Sequence, residues 1–274
     1  MKLDAHQHFW RYRAAEFDWL QGPLAALQRD FLPSDLAPLL AAAGVDGTIA
    51  VQARQTLEET RWLLGLAQGN AIIRGVVGWV PLADPQIGPI LDGLVTDTRL
   101  RGVRHVAQGQ PPGFLDAPAF NAGIRAVTAR RLTYDLLIFA HQLEEATRFV
   151  DRHPHQAFVL DHIAKPVVEN VPPAAWRQQL RELARRENVS CKFSGVVTEV
   201  PGGQWTATLL RPYWEEALAA FGPPRLMFGS DWPVCLAASD YGRWHTFVTD
   251  CTAALAPAEQ ASVLGGTAAT FYGL

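Results

Sequence analysis

Two histidines one residue apart, His6 and His8, are the first groups in the chain that could do chemistry. On a strand they point to the same side, and two imidazoles stacked that way form a clamp for a metal ion. The same pair also occurs as plain surface residues. A third imidazole, His162, sits in the run Leu160-Asp161-His162-Ile163-Ala164-Lys165-Pro166. Lys165, on the stretch that follows, is placed to reach an anionic or carbonyl oxygen. Asp231 occurs in Gly229-Ser230-Asp231-Trp232-Pro233. Nothing nearby in sequence is long enough to pair with it, which suits a general base or a metal ligand. Capping a following helix is the bland alternative, and Trp232-Pro233-Val234 makes it less attractive.

Groups this far apart in sequence need a fold to gather them. Eight short apolar runs of strand length recur: Lys2–His8, Asp46–Ala53, Arg74–Val80, Arg101–Val106, Thr133–Ala140, Ala157–His162, Val189–Phe193 and Leu226–Gly229. Helical patterns lie between them at Leu57–Gln68, Phe120–Arg131, Leu143–Arg152, Ala174–Asn188, Arg211–Phe221 and Ala258–Leu264. Strands alternating with helices predict a parallel sheet. Eight repeats in 274 residues predict an α/β fold of one domain over residues 1–274, a single (β/α)8 TIM barrel. An open dinucleotide-binding sheet is disfavoured, since no GxGxxG follows the first run and no GxxxxGK[ST] occurs.

Working residues in such barrels sit at the C-terminal strand ends. His6 and His8 end the first predicted strand, His162 the sixth, and Asp231 follows the eighth. Regular alternation would then turn Asp161 away from His162. The fifth strand leads to His141. The fourth carries Arg104 and His105 on opposite faces, so only one of them can face the lumen. Lys192 and Ser194 share a face of the seventh. Trp79 and Trp232 are placed to line a pocket, and the second strand ends near Gln52 and Arg54. His153 and His155 read as solvated loop residues at the other end of the barrel, and His245 as a packing or surface group.

Composition narrows the field. Lys and Arg total 24 against 27 Asp and Glu, a net charge of −3, so there is no basic surplus for a nucleic-acid backbone. A content of 49% hydrophobic and 19% charged residues excludes wholesale disorder. Cys191, Cys235 and Cys251 are odd in number and widely spaced, which fits reduced, buried thiols and no disulfide framework. None has a base beside it for thiol catalysis. No run reaches the roughly 18 apolar residues of a membrane span, and MKLDAHQHFW has no signal-peptide core. The reduced thiols fit a cytosolic protein.

HxH on the first strand, DHIAKP after the sixth, KFSG on the seventh and GSDWP after the eighth together resemble the amidohydrolase superfamily. More closely they are similar to its amidohydrolase-2 branch of TIM-barrel sugar-lactone hydrolases, the L-fuconolactonase and L-rhamnonolactonase type. The resemblance runs from Leu3 to near the C-terminus. It implies that His6, His8, His162 and Asp231 are catalytic and can hold one divalent metal, zinc first among the candidates. Metal dependence stays open, because some lactonases of this branch work without one. Arg104, His105, His141, Lys165, Trp79 and Trp232 are the expected substrate contacts. No lysine stands where the binuclear members carry a bridging carboxylated one, so a two-metal centre is not expected. The expected reaction opens a sugar-acid lactone, with Asp231 as base and then acid. The alternative is a metal-dependent decarboxylase on the same site, and a non-catalytic binding barrel comes third. The expected partner is a small-molecule sugar lactone, with no nucleic acid and no membrane, for a monomer or homo-oligomer.

Overall fold

The computed structural model describes residues 1–274. Eight parallel strands are present: β1 Leu3–Gln7, β2 Gly47–Val51, β3 Ile73–Gly78, β4 Leu100–Val106, β5 Thr133–Leu137, β6 Phe158–Leu160, β7 Val189–Phe193 and β8 Leu226–Phe228. Each pairs with the next in sequence order. Closure between first and last is made just past the end of β8. The His8 N–H donates to the Trp232 carbonyl at 2.7 Å, and the Asp231 N–H donates to the His6 carbonyl at 2.8 Å. The expected single (β/α)8 barrel is therefore present, and residues of its candidate site are also its seam.

The helices are α1 Pro33–Ala43, α2 Leu57–Gly69, α3 Ile87–Leu94, α4 Pro118–Ala129, α5 Leu143–Asp151, α6 Ala174–Ala184, α7 Ala207–Phe221, α8 Tyr241–Thr252, α9 Pro257–Ala261 and α10 Thr267–Tyr272. Side-chain caps start several of them. The Thr56 hydroxyl accepts the Glu59 N–H at 3.1 Å, and Thr206 accepts that of Leu209 at 3.2 Å, so α7 begins four residues before the expected Arg211. Four helices, α1, α3, α8 and α10, fall outside the six expected ranges, and two of them run against local propensity. Interior Pro38 argues against α1, and Gly88, Pro89 and Gly93 argue against α3. Both form because their apolar faces, Leu36 and Leu40 in one and Ile87, Leu91 and Leu94 in the other, are buried against the barrel. No helix is long and apolar enough to cross a membrane.

Two apolar regions hold the fold. The larger fills the layer between sheet and helices. The smaller contains nine residues inside the barrel: Leu3, Ala5, Ile49, Val51, Val77, Val159 and Met227 from the strands, with Ala268 and Tyr272 from α10. Each fully buried aliphatic side chain contributes roughly 1.5–3 kcal/mol. The lower lumen is thus plugged by carbon and by the C-terminal helix, which confines the polar chemistry to the upper half.

Candidate active site

Local irregularities aim the polar groups. The β1–β2 register shifts between Asp4 and Gln7, the mark of a bulge. Leu3 and Ala5 face the barrel interior, and the bulge brings His6 there as well instead of Gln7. Asp4, fully buried, accepts the N–H of His6 at 3.1 Å and that of Ser230 at 2.8 Å, which ties the bulge to the loop carrying Asp231.

On β6 the expected facing is reversed. Val159 faces the interior, so alternation carries Asp161 inward, not outward. His162 should then face the helices. A left-handed backbone returns it to the site: φ is +54° at His162, +48° at Ile163, +63° at Ala164 and +48° at Lys165. Such conformations cost roughly 1–2 kcal/mol per residue outside glycine, and they gather at functional sites. Asp231 shares the feature, with φ +57°. Two glycines make room. A Cβ on Gly229 would lie 2.8 Å from that of His6, and one on Gly195, where φ is +64°, would lie 2.5 Å from His162 Nδ1 and 2.9 Å from Asp231 Oδ2.

Asp231 Oδ1 is the centre of the arrangement. Nε2 of His8 lies 3.3 Å away, that of His6 3.7 Å and that of His162 3.9 Å. Burial pushes the Asp231 carboxyl up, but His162, His6 and His8 outweigh it and hold it well below the usual carboxylate range. It is therefore a base that stays charged although its side chain is almost wholly buried. Burial lowers His162 to about 4 against the opposing pull of Asp231 and Asp161, and burial also holds His6 well below its ordinary value. His162 Nδ1 lies 2.9 Å from the Ser194 hydroxyl, and His8 Nδ1 donates to the Val51 carbonyl at 2.8 Å.

Beneath these groups is a closed set of ions. Arg104 donates to Asp161 Oδ2 at 3.0 Å and to Gln52 Oε1 at 2.8 Å. Lys192 pairs with Asp135 and lies 3.1 Å from Asp161 Oδ1. Burial alone would raise Asp161, but Lys192, His6 and Arg104 together keep it well below the ordinary value. Buried charges persist only when paired in this way.

Above the ions opens a cavity of about 1140 Å³. His8, Arg104, His162, Lys165 and Asp231 line it. Trp79, His105, His141 and Trp232 do not. The Trp79 ring N–H donates to His105 Nδ1 at 3.1 Å, and His105 stacks on Phe114 outside the lumen, so Arg104 is the inward partner of that pair. His141 is exposed beside Phe139, and Trp232 packs edge-on against Phe9 and Phe31. His153 departs from its expected solvation: it is buried, with Nε2 2.8 Å from Asn121 Oδ1.

The sequence reading missed other lining groups. Glu16 pairs with Arg54, and Glu199 lies 3.6 Å from Lys165. Both carboxylates come from loops with no periodic signal. Asp161 was within reach, since counting alternate residues from Val159 finds it. The loops after β1, β2 and β7 wall the cavity, and the loop after β3 does not.

His6, His8 and Asp231 fit a small divalent cation. Their ligand atoms are 3.2, 3.3 and 3.7 Å apart, close to the edge of about 3.3 Å expected of a tetrahedron with zinc-like bonds. With its Nδ1 proton given to the Val51 carbonyl, His8 turns a lone pair toward the Asp231 carboxylate, and two facing acceptors call for a cation between them. His6 can add its Nε2 lone pair when its Nδ1 proton goes to Asp161 Oδ1, 3.2 Å away.

Comparison with known proteins agrees with this geometry. A family model described as amidohydrolase matches residues 3–274. A Burkholderia multivorans protein named L-fucono-1,5-lactonase is 41% identical, covering 100% of this chain and 96% of its own. Its Burkholderia ambifaria namesake is 37% identical over 99% and 95%. The crystal structure of a Burkholderia multivorans amidohydrolase with bound zinc superposes with a TM-score of 0.94 at 42% identity, covering 100% of this chain and 99% of that one.

Proposed function

The chain belongs to the amidohydrolase family, and from that premise we propose that it hydrolyses the ring ester of a neutral sugar-acid lactone of the L-fucono-1,5-lactone type, releasing the aldonic acid. The observation that carries the reading is Asp231: a buried, charged carboxylate on the cavity wall, ringed by three imidazoles. Asp231 takes a proton from water as the water attacks the lactone carbonyl, then returns it to the ring oxygen as the ester bond breaks. Arg104 and Lys165 donate to the oxygen that gains charge and to substrate hydroxyls. A divalent ion held by His6, His8 and Asp231, with His162 adjacent, would polarise the carbonyl. The reading places the enzyme in cytoplasmic carbohydrate catabolism.

Neutrality of the substrate follows from charge. Each lining arginine or lysine already has a carboxylate: Arg54 has Glu16, Arg104 has Asp161 and Lys165 has Glu199. A decarboxylase substrate brings a carboxylate of its own and needs free cations to hold it.

The test is a pH-indicator assay with aldono-1,4- and 1,5-lactones, on protein as purified and after chelation. Turnover of L-fucono-1,5-lactone and its close relatives is expected. Asp231→Asn should lose about 10²–10⁴ in kcat at unchanged Tm. Near-normal turnover in that variant would remove Asp231 from the mechanism. Carbon dioxide release from an aromatic acid, with no lactone turned over, would put the decarboxylase in its place.

A further inference from the structure

Arg54, Arg104 and Lys165 line the cavity, each with a carboxylate beside it, and the three pairs are not equally closed. Arg54 is in direct contact with Glu16, and Arg104 donates to Asp161 at 3.0 Å. Lys165 Nζ stands 3.6 Å from Glu199 Oε1, beyond hydrogen-bond length. Both side chains are mostly buried, 17% and 20% exposed, so little bulk water reaches them. The Thr198 hydroxyl beside Glu199 gives its proton to the Gly195 carbonyl at 2.7 Å. Burial pushes the Glu199 carboxyl above its ordinary value, and Lys165 does not fully offset this. A carboxylate short of donors thus faces an ammonium short of an acceptor on the cavity wall. The backbone around them is fixed. The Lys165 N–H donates to the His162 carbonyl at 2.8 Å. Glu199 ends the short turn Val196–Glu199, and its carbonyl accepts the Val168 N–H at 3.2 Å. The loops after β6 and β7 are therefore tied together where they present the pair.

We propose that Glu199 is a specificity-determining residue for the lactone: it accepts a hydrogen bond from one ring hydroxyl, and Lys165 donates to the same oxygen. The inference rests on the lactonase reading above. A hydroxyl suits the gap because it offers one proton to the carboxylate and lone pairs to the ammonium. A carboxylate guest would repel Glu199, an ammonium guest would repel Lys165, and an apolar guest would leave both unpaired. A polyhydroxylated ring therefore fits this wall, and a bare ring of the same size does not. Proton transfer at the carbonyl end belongs to Asp231. Glu199 holds substrate and transition state alike, which places its effect on KM.

The test measures kcat and KM for L-fucono-1,5-lactone and its 2-, 3- and 4-deoxy counterparts on the full-length parent, Glu199→Ala and Glu199→Gln. On the full lactone, Glu199→Ala should lose roughly 10–100-fold in kcat/KM, mainly through KM. The parent should lose about as much on one of the deoxy lactones, and on that one Glu199→Ala should cost no more than about twofold further. Glu199→Gln keeps one acceptor oxygen and should fall between. An equal loss on every lactone would leave Glu199 a purely structural role and overturn the proposal, as would no loss on any. Calorimetric binding of the matching 1,5-lactams, which carry the same ring hydroxyls and resist hydrolysis, repeats the comparison without turnover. If the parent hydrolyses no lactone but binds the lactams in the same Glu199-dependent pattern, the proposed function falls and the hydroxyl recognition stands. Lactam affinities unmoved by Glu199→Ala overturn the recognition, and a parent that neither hydrolyses lactones nor binds lactams overturns both.

Discussion

At the scale of single residues, the candidate site is a matter of how closely imidazoles can crowd one carboxylate. Gly195 sets that limit. Gly195→Ala would place a methyl 2.5 Å from His162 Nδ1 and force alanine into a left-handed backbone. Loss of at least about tenfold in kcat is expected, with a Tm lowered by a few degrees from strain of roughly 1–2 kcal/mol. Unchanged kinetics would mean that His162 can yield without consequence. Metal binding tests His8 in the same way. One zinc per chain should survive dialysis in the parent and be lost in His8→Ala, as counted by elemental analysis. Retention of zinc in that variant would move the metal away from the His6–His8–Asp231 triangle. His6, His8, His162 and Asp231 were legible because their motifs stand at strand ends. Asp161 was hidden by an error of parity: with His162 taken as inward, alternation turned Asp161 away, because the sequence shows no sign of the left-handed turn that brings His162 back inward. His105 and His141 looked equivalent to the others by position alone, and only packing separates them.

At the scale of elements, a helix residue shapes a cavity wall. Glu59 on α2 accepts the N–H groups of Ala53 at 3.0 Å and Arg54 at 2.7 Å, fixing the loop after β2 that presents Arg54. Burial pushes its carboxyl up to about 7 from 4.5, against those hydrogen bonds and the Arg54 charge. The folded chain therefore keeps a proton there that the unfolded chain releases. Its contribution to stability falls as pH rises from about 4.5 to 7. Glu59→Gln, neutral throughout, should gain on the parent by about 2–3 kcal/mol between pH 5 and 8, seen as a Tm difference that moves in its favour. A pH-independent difference would show that the carboxyl titrates normally. All eight strands were legible because parallel strands buried on both faces read as continuous apolar runs. The first and third helices were not, since proline and glycine inside them contradict local propensity and only burial against the barrel overrides it. The loops after β1 and β7, which supply Glu16 and Glu199, follow no period at all.

At the scale of the whole molecule, apolar packing fills the lower barrel and paired ions fill the upper half. A consequence for substrate choice can be tested directly. Lactones that carry an extra carboxylate should be turned over at least about tenfold less efficiently than neutral ones of the same ring size, the loss falling on KM. Equal efficiency would show that a cation of the cavity breaks its pair to receive the anion. The same pairing bears on the end of the catalytic cycle. Ring opening turns a neutral guest into an anion in a chamber walled by Glu16, Asp18, Glu199 and Asp231, where every arginine and lysine is already matched. Hydrolysis would thus create the repulsion that expels its own product, so turnover need not wait on a strongly held acid.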